Sequence, residues 1–236
     1  MSIDVKIHDA QTSILRELLF VREAGYAQMQ KGTGLSSDHF NFHIGKLVEL
    51  GLVEKIARGK YALTTKGKEY ANKLDTDNKT IERQPKVAVL LGVMAEINGE
   101  PQVLFQQRRK NPYYGYWGFP TGKVRFGETI IEAAARELKE ETSLEADFER
   151  LGIYKELTHM DTGELLEDKL FCVVRCTNVR GELLSEFEGG LNVWMTQAEA
   201  RKLEKRYASF ETELKMIHSP SGQFLEEEHR YTKSEF

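Results

Sequence analysis

The feature that most constrains this chain is a polar interruption, "LDTDNKTIERQPK", at residues 74–86. It has no apolar periodicity and ends beside a proline, which marks a linker at 75–86 rather than an element of a core. Before it the pattern is mostly helical. After it, "KVAVLLGVMAEI" reads as a strand rich in β-branched residues, "NGEP" as a turn, and "QVLFQQRR" as a second strand, giving a β-hairpin. The chain therefore divides into a small unit over 1–74 and a larger one over 87–236.

Charge divides in the same way. Net charge is −4 over 236 residues. Residues 1–74 carry 11 Lys and Arg against 8 Asp and Glu, or +3, and the remainder carries 22 against 29, or −7. Two units with different partners are expected. The sequence holds no apolar run of about 18 residues, so no membrane partner is expected. "MSIDVKIHDAQ" lacks the apolar stretch of a secretory signal. Cys172 and Cys176 lie four residues apart on the expected strand "LFCVVRC", about 13 Å apart along it, too far for a disulfide or a shared metal. A reducing cytoplasm is the expected location.

In the first unit, residues 9–24 form an amphipathic helix with Ile14, Leu15, Leu18, Leu19 and Val21 on its apolar side. A short helix follows around Tyr26–Lys31, then the turn "GTGLSS". Ser36 or Ser37 caps a third helix that stops at Gly51. Phe40, Ile44, Leu47 and Val48 form its core stripe, with Asp38, Asn41, Gly45 and Glu49 opposite. Two short strands, "LVEKI" and "YALTT", flank the basic tip "ARGK". This order, with the phrase "KLVELGLVEK…GKYALTTKGKEY", resembles the winged helix-turn-helix family. The resemblance implies duplex DNA as a partner, with Ser37, Asn41 and Lys46 on the helix entering a major groove and Lys46, Arg58 and Lys60 on phosphates. The alternative is a module for dimerisation or protein contact; a homodimer is expected. His39 and His43 stand at i, i+4 without a third ligand nearby, and His43 is expected to pack beside Leu47.

In the second unit, "GFPTGKVRFGETIIEAAARELKEETSL" sets Glu137, Glu140 and Glu141 at relative positions 0, +3 and +4, on one side of an expected helix over Thr129–Glu141. Ile131, Ala134 and Leu138 supply a separate apolar stripe. Arg136 and Glu140 form an i, i+4 pair. Like charges at such spacing destabilise a helix unless something neutralises them. Hard oxygen donors suit Mg²⁺ or Mn²⁺, and Mg²⁺ bridges carboxylates to phosphates.

Gly122, five residues, Glu128, seven residues, then Arg136-Glu137-Leu138-x-Glu140-Glu141-x-Ser143-Leu144 resembles the Nudix box. Eight of its nine fixed positions match; Ser143 stands where the family has glycine. The resemblance implies an α/β fold, an α/β/α sandwich around a mixed sheet, preceded here by the small α+β winged unit. It implies hydrolysis of a nucleoside diphosphate linked to another moiety. By the same resemblance Glu137, Glu140 and Glu141 bind metal, one of them serving as base, Arg136 and Glu128 orient them, and a carbonyl near Gly122 adds a ligand. Glu188, or else Glu186, is the candidate for a further carboxylate from a later loop. Arg108 or Arg109 is the candidate for a substrate phosphate. Tyr113, Tyr114, Tyr116 and Trp117 either stack on a base or pack in the core, the latter being expected of Trp117. Ser143 falls where positive φ is common, at a cost of about 1 kcal/mol for serine. Thr121 replaces another common glycine and narrows the approach to the metal. The segment "LTHMDTG" carries neither the proline nor the tyrosine that marks known substrate subfamilies. The competing role is a transcription regulator whose Nudix domain senses a nucleotide ligand such as an ADP-ribose-type metabolite; the presence of all three glutamates favours catalysis.

Overall fold

The computed structural model describes residues 7–73 and 84–236. It divides into two compact units, Met1–Arg83 and Gln84–Phe236. Residues 75–83 of the expected linker lie outside the described residues.

The first unit runs α1 (Asp9–Leu19), β1 (Ala24–Gly25), α2 (Tyr26–Thr33), α3 (Ser37–Glu49), β2 (Val53–Ala57), β3 (Lys60–Leu63) and α4 (Thr65–Ala71), with its strands ordered β1-β3-β2. Helix α1 stops five residues short of the expected end. Ala24 is drawn instead into the sheet opposite Tyr61, and Val21 is left exposed. Ser36 caps α3 by accepting from His39 N, and Leu50 and Gly51 end it. Phe40, Ile44 and Leu47 are buried as the stripe requires, but Val48 is exposed because it lies at the edge of the stripe. Thr64, expected in a strand, leaves the hairpin and caps α4 by accepting from Gly67 N at 2.9 Å. His43 stacks on His8, with ring centroids 4.7 Å apart.

The second unit runs β4 (Lys86–Ile97), β5 (Glu100–Arg108), β6 (Trp117–Gly118), β7 (Thr121–Lys123), α5 (Ile130–Thr142), β8 (Glu145–Met160), β9 (Leu165–Arg180), β10 (Glu186–Phe187), β11 (Gly190–Met195), α6 (Gln197–Ala200), α7 (Phe210–His218) and β12 (Gln223–Tyr231). The sheet order is β10-β11-β5-β4-β9-β8-β12, with β6 on β5 and β7 on β4. Pairs β4–β9 and β8–β12 are parallel and the others antiparallel, so the sheet is mixed.

Strand β4 explains the layers. Its side chains alternate faces. Val89, Leu91 and Val93 pack with Ala133, Ala134 and Leu138 of α5, while Ala88 and Leu90 pack with Phe210, Leu214 and Ile217 of α7. One helix thus covers each face, giving the α/β/α sandwich. The expected hairpin forms, but β5 pairs with β4 only from Met94 to Ile97. Lower down β4 takes β7 as its partner, over Ala88–Leu90. A cavity lies where β5 and β7 part company. Cys172 and Cys176 are both free; burial pushes the Cys176 thiol up to about 12.

Candidate active site

Helix α5 presents the acidic residues. Thr129 caps it by accepting from Glu132 N, and Glu132 reaches back to Thr129 N at 2.8 Å. At the other end Ser143 sits at φ 62°, ψ 4°, the left-handed cap conformation that glycine adopts most easily. The serine is exposed, so its cost is local backbone strain and reaches no acidic side chain directly.

Arg136 is the hub of the box. Its Nε and Nη2 donate to Glu128 Oε1 and Oε2 at 2.6 and 2.8 Å, a forked pair. Its Nη1 donates to Glu137 Oε1 at 2.6 Å and to Glu140 Oε2 at 3.3 Å, and its Nη2 also reaches the Lys123 carbonyl at 2.9 Å. Planar guanidinium geometry allows this many partners at once, where a lysine would not. The hydrogen bond from Arg136, helped by that from Arg125 N, holds the Glu128 carboxyl down to about 2.

The three glutamates are not equivalent. Glu137 and Glu141 line a cavity of about 710 Å³ together with Gly122, Gln106, Arg108 and Arg125. Glu140 is half exposed, does not line it, and is held by Arg125 and Arg136. Gly122 lies against Glu137: a β-carbon there would stand 2.0 Å from its Cγ and Cδ. Only glycine leaves room for that carboxylate beside β7. Glu141 accepts from Gln106 Nε2 at 2.9 Å, and Asn192 Nδ2 holds its backbone carbonyl at 2.8 Å. Burial pushes the Glu141 carboxyl upward, against the pull of the Gln106 amide.

Among the described residues no group of three acidic, histidine or cysteine side chains already converges as a metal site. The arrangement nonetheless fits a hard divalent cation. Glu137 and Glu141 are oxygen donors facing one cavity, glycine keeps the space beside them clear, and burial disfavours the bare charge on Glu141.

The remaining candidates separate. Arg108 lines the cavity, but its guanidinium is spent on the carbonyls of Lys110, Asn111 and Pro112. Arg109 pairs with Glu186 away from the cavity lining. Glu188 is exposed in the turn between β10 and β11 and does not line the cavity. Thr121 does line it. Trp117 packs against the core on the α7 face, as expected, and Tyr113 and Tyr116 are buried in an aromatic cluster with Tyr231. Gln106 and Asn192 were not singled out from sequence. The one signal for Gln106 is the change from apolar to polar residues within "QVLFQQRR".

In the first unit, Ser37 Oγ accepts from Gln30, Lys46 pairs with Glu49 at 2.6 Å, and Lys60 pairs with Glu23. Asn41 and Arg58 are exposed.

An acidic helix pinned by a forked arginine–glutamate pair over a glycine-lined cavity, on a mixed sheet covered by helices on both faces, places the second unit in the α/β/α sandwich class. The family is specific: the NUDIX domain pattern matches residues 85–214, more than half the chain, and the chain belongs to that family. An ADP-ribose pyrophosphatase from Methanocaldococcus jannaschii is 38% identical over 88 residues, which are 36% of this chain and 50% of that protein. The chain spans about half or less of the length of the curated relatives it matches. A MutT protein from Bacillus halodurans superposes with a TM-score of 0.51 at 25% identity, covering 64% of this chain and 93% of that one. The NUDIX domain of Shewanella oneidensis NrtR, solved with ADP ribose, gives 0.50 at 16% identity, covering 65% and 95%; at that identity the fold alone is shared. Among the described residues no helix is long and apolar enough to cross a membrane.

Proposed function

We propose that the Gln84–Phe236 unit hydrolyses the diphosphate of a nucleoside diphosphate linked to another moiety, with Mg²⁺ or Mn²⁺ held by Glu137, Glu141 and a carbonyl near Gly122. The observation that carries this reading is the meeting of Glu137, Glu141 and Gly122 in one cavity, on the side chains the Nudix box specifies. A bound divalent cation supplies Lewis-acid polarisation of water and screening of phosphate charge. The protein's own part is placement. Arg136 fixes Glu137 and is itself fixed by Glu128. Gln106 and Asn192 aim Glu141 from the strand side. Arg125, exposed and lining the cavity, reaches a substrate phosphate by turning from its long 3.4 Å contact with Glu140, whereas Arg108 is committed to shaping its own loop. Glu140 joins the cation site only by leaving its arginines. The named activity of the M. jannaschii relative makes ADP-ribose the first compound to try.

The test is turnover of a panel of nucleoside-diphosphate compounds with Mg²⁺. Glu137→Gln and Glu141→Gln each lower kcat/KM by about 100-fold or more with folding retained. Turnover equal to wild type in both variants sinks the assignment.

A second reading is favoured by the first unit. We infer that α1, α2 and α3 with the β2–β3 hairpin make a winged helix-turn-helix that contacts duplex DNA through Asn41 and the exposed hairpin-tip Arg58. In that case nucleotide binding by the second unit serves regulation as well as hydrolysis. Lys46 and Lys60 contribute only after release from Glu49 and Glu23. A salt-dependent shift of duplex DNA tests it; absence of any shift at low salt leaves this unit as a protein-contact module.

A further inference from the structure

The cavity that holds Glu137 and Glu141 also has an end built from other elements. Glu156 from β8, Lys169 and Phe171 from β9, Glu213 from α7, and Tyr113 line it. Sequence separates these residues widely; the sheet brings them together by pairing Glu156 with Lys169 across β8 and β9 and laying α7 over that face. Charge matching there is incomplete. Lys169 Nζ lies 2.6 Å from Glu167 Oε2 and 3.6 Å from Glu156 Oε1, and Lys86 lies 3.2 Å from Glu167 Oε1. Among the described residues no cation forms an ion pair with Glu213. It is 5% exposed, and among the described residues its side chain takes one hydrogen bond, from Ser209 Oγ at 3.0 Å. Its other carboxyl oxygen meets no protein donor among the described residues. Elsewhere in the same lining the Tyr113 hydroxyl, near Thr158 and Glu167, is buried and without a hydrogen-bond partner among the described residues.

Glu213 lines the cavity with one hydrogen bond from the protein, so it keeps acceptor capacity that a donor on a ligand there can use. A phosphate is the wrong occupant, because Lys86 and Lys169 are already taken up by Glu167 and Glu156, and Glu213 adds no positive charge. Rings of Phe119, Phe171, Tyr113 and Tyr207 line the same space, which suits a flat aromatic group. We propose that this end of the cavity receives the heteroaromatic ring of the substrate, and that Glu213 selects rings bearing an exocyclic amino group by accepting its N–H. The proposal rests on the nucleotide-hydrolase reading above and names the feature of the nucleoside that the site recognises. Burial, with repulsion from Glu156, pushes the Glu213 carboxyl up to about 8. The carboxyl oxygen left open accepts from an exocyclic amino N–H, whereas the carbonyl that replaces that amino group in a ring such as uracil is itself an acceptor and offers it no hydrogen.

The experiment is metal-free binding of AMP, CMP, GMP and UMP to the full chain in EDTA, followed by calorimetry. The amino-bearing nucleotides bind at least about ten-fold tighter than UMP, the worth of one good hydrogen bond. Glu213→Leu, which leaves no buried charge behind, abolishes that preference and leaves UMP within about two-fold of its wild-type Kd. Glu213→Gln keeps shape, donor and acceptor, and retains the preference for AMP and CMP. UMP binding as tightly as AMP, a preference that survives Glu213→Leu, or ribose 5-phosphate binding as tightly as AMP overturns the proposal. Because no turnover is needed, selective binding without hydrolysis refutes the hydrolase reading alone, and hydrolysis indifferent to the base refutes the pocket alone.

Discussion

Gly122→Ala separates the stability of the domain from the placement of its carboxylates. The added methyl stands 2.0 Å from Cγ and Cδ of Glu137, where carbon atoms settle at about 3.5 Å, so roughly 1.5 Å must be found. Strand β7 cannot supply it cheaply, since Gly122 is paired with Val89 in the ladder. Rotation of the Glu137 side chain can. That rotation breaks the 2.6 Å bond from Arg136 Nη1, a loss of about 1 kcal/mol. Replacing glycine by alanine in a strand returns about 0.5–1 kcal/mol. The net change in stability is therefore within about 1 kcal/mol, a melting shift under about 4 °C for a unit of this size. Turnover responds differently, because moving a catalytic group by about 1 Å costs on the order of 100-fold, or about 2.7 kcal/mol of barrier. The assay is kcat/KM with Mg²⁺ alongside thermal melting, repeated in a Glu137→Ala background, where the alanine at 122 has nothing left to displace and costs no further activity. Wild-type turnover in Gly122→Ala, or an equal additional loss in the Glu137→Ala background, refutes the reasoning.

Three further outcomes are expected. Ser143→Gly relieves the left-handed cap and raises the melting temperature by about 1–3 °C without changing kcat/KM; a lower melting temperature refutes the strain argument. Arg136→Lys keeps the charge but removes the fork to Glu128, and lowers metal-dependent turnover by about 10- to 100-fold, read as a higher Mg²⁺ requirement. Arg58→Ala reduces the salt-dependence slope of any duplex DNA binding by about one, measured by titration at several salt concentrations; an unchanged slope removes Arg58 from the interface.

What was legible in the sequence was local. The box helix, its apolar stripe of Ala134 and Leu138, the Arg136–Glu140 pair and the positive φ at Ser143 all follow from spacing along one segment, and all are present. Likewise the β4–β5 hairpin follows from two apolar runs and a turn. Spacing could not show that Glu140 turns away from the cavity while Glu141 turns in, because that choice is made by Arg125 on one side and Gln106 on the other. It gave no view of Glu213, Glu156 and Lys169 as neighbours, since only the parallel and antiparallel register of β4, β9 and β8 assembles them. Helix α1 ended early for a related reason: the pairing of Ala24 with Tyr61 outweighed local helix propensity.

The stacked glutamates of α5 thus have a resolution that begins before any cation arrives. Arg136 sits between Glu137 and Glu140 and, with Arg125 on Glu140, offsets part of their repulsion, at the cost of turning Glu140 away from the cavity. Glu141 escapes the stripe by pointing at Gln106, where burial makes its charge unfavourable. A helix that satisfied all three carboxylates internally would have no use for a metal, and one that satisfied none would fray. The uneven division leaves one anchored carboxylate, Glu137, and one destabilised carboxylate, Glu141, facing the same space. Under the proposed function, that pair is where the cation is received.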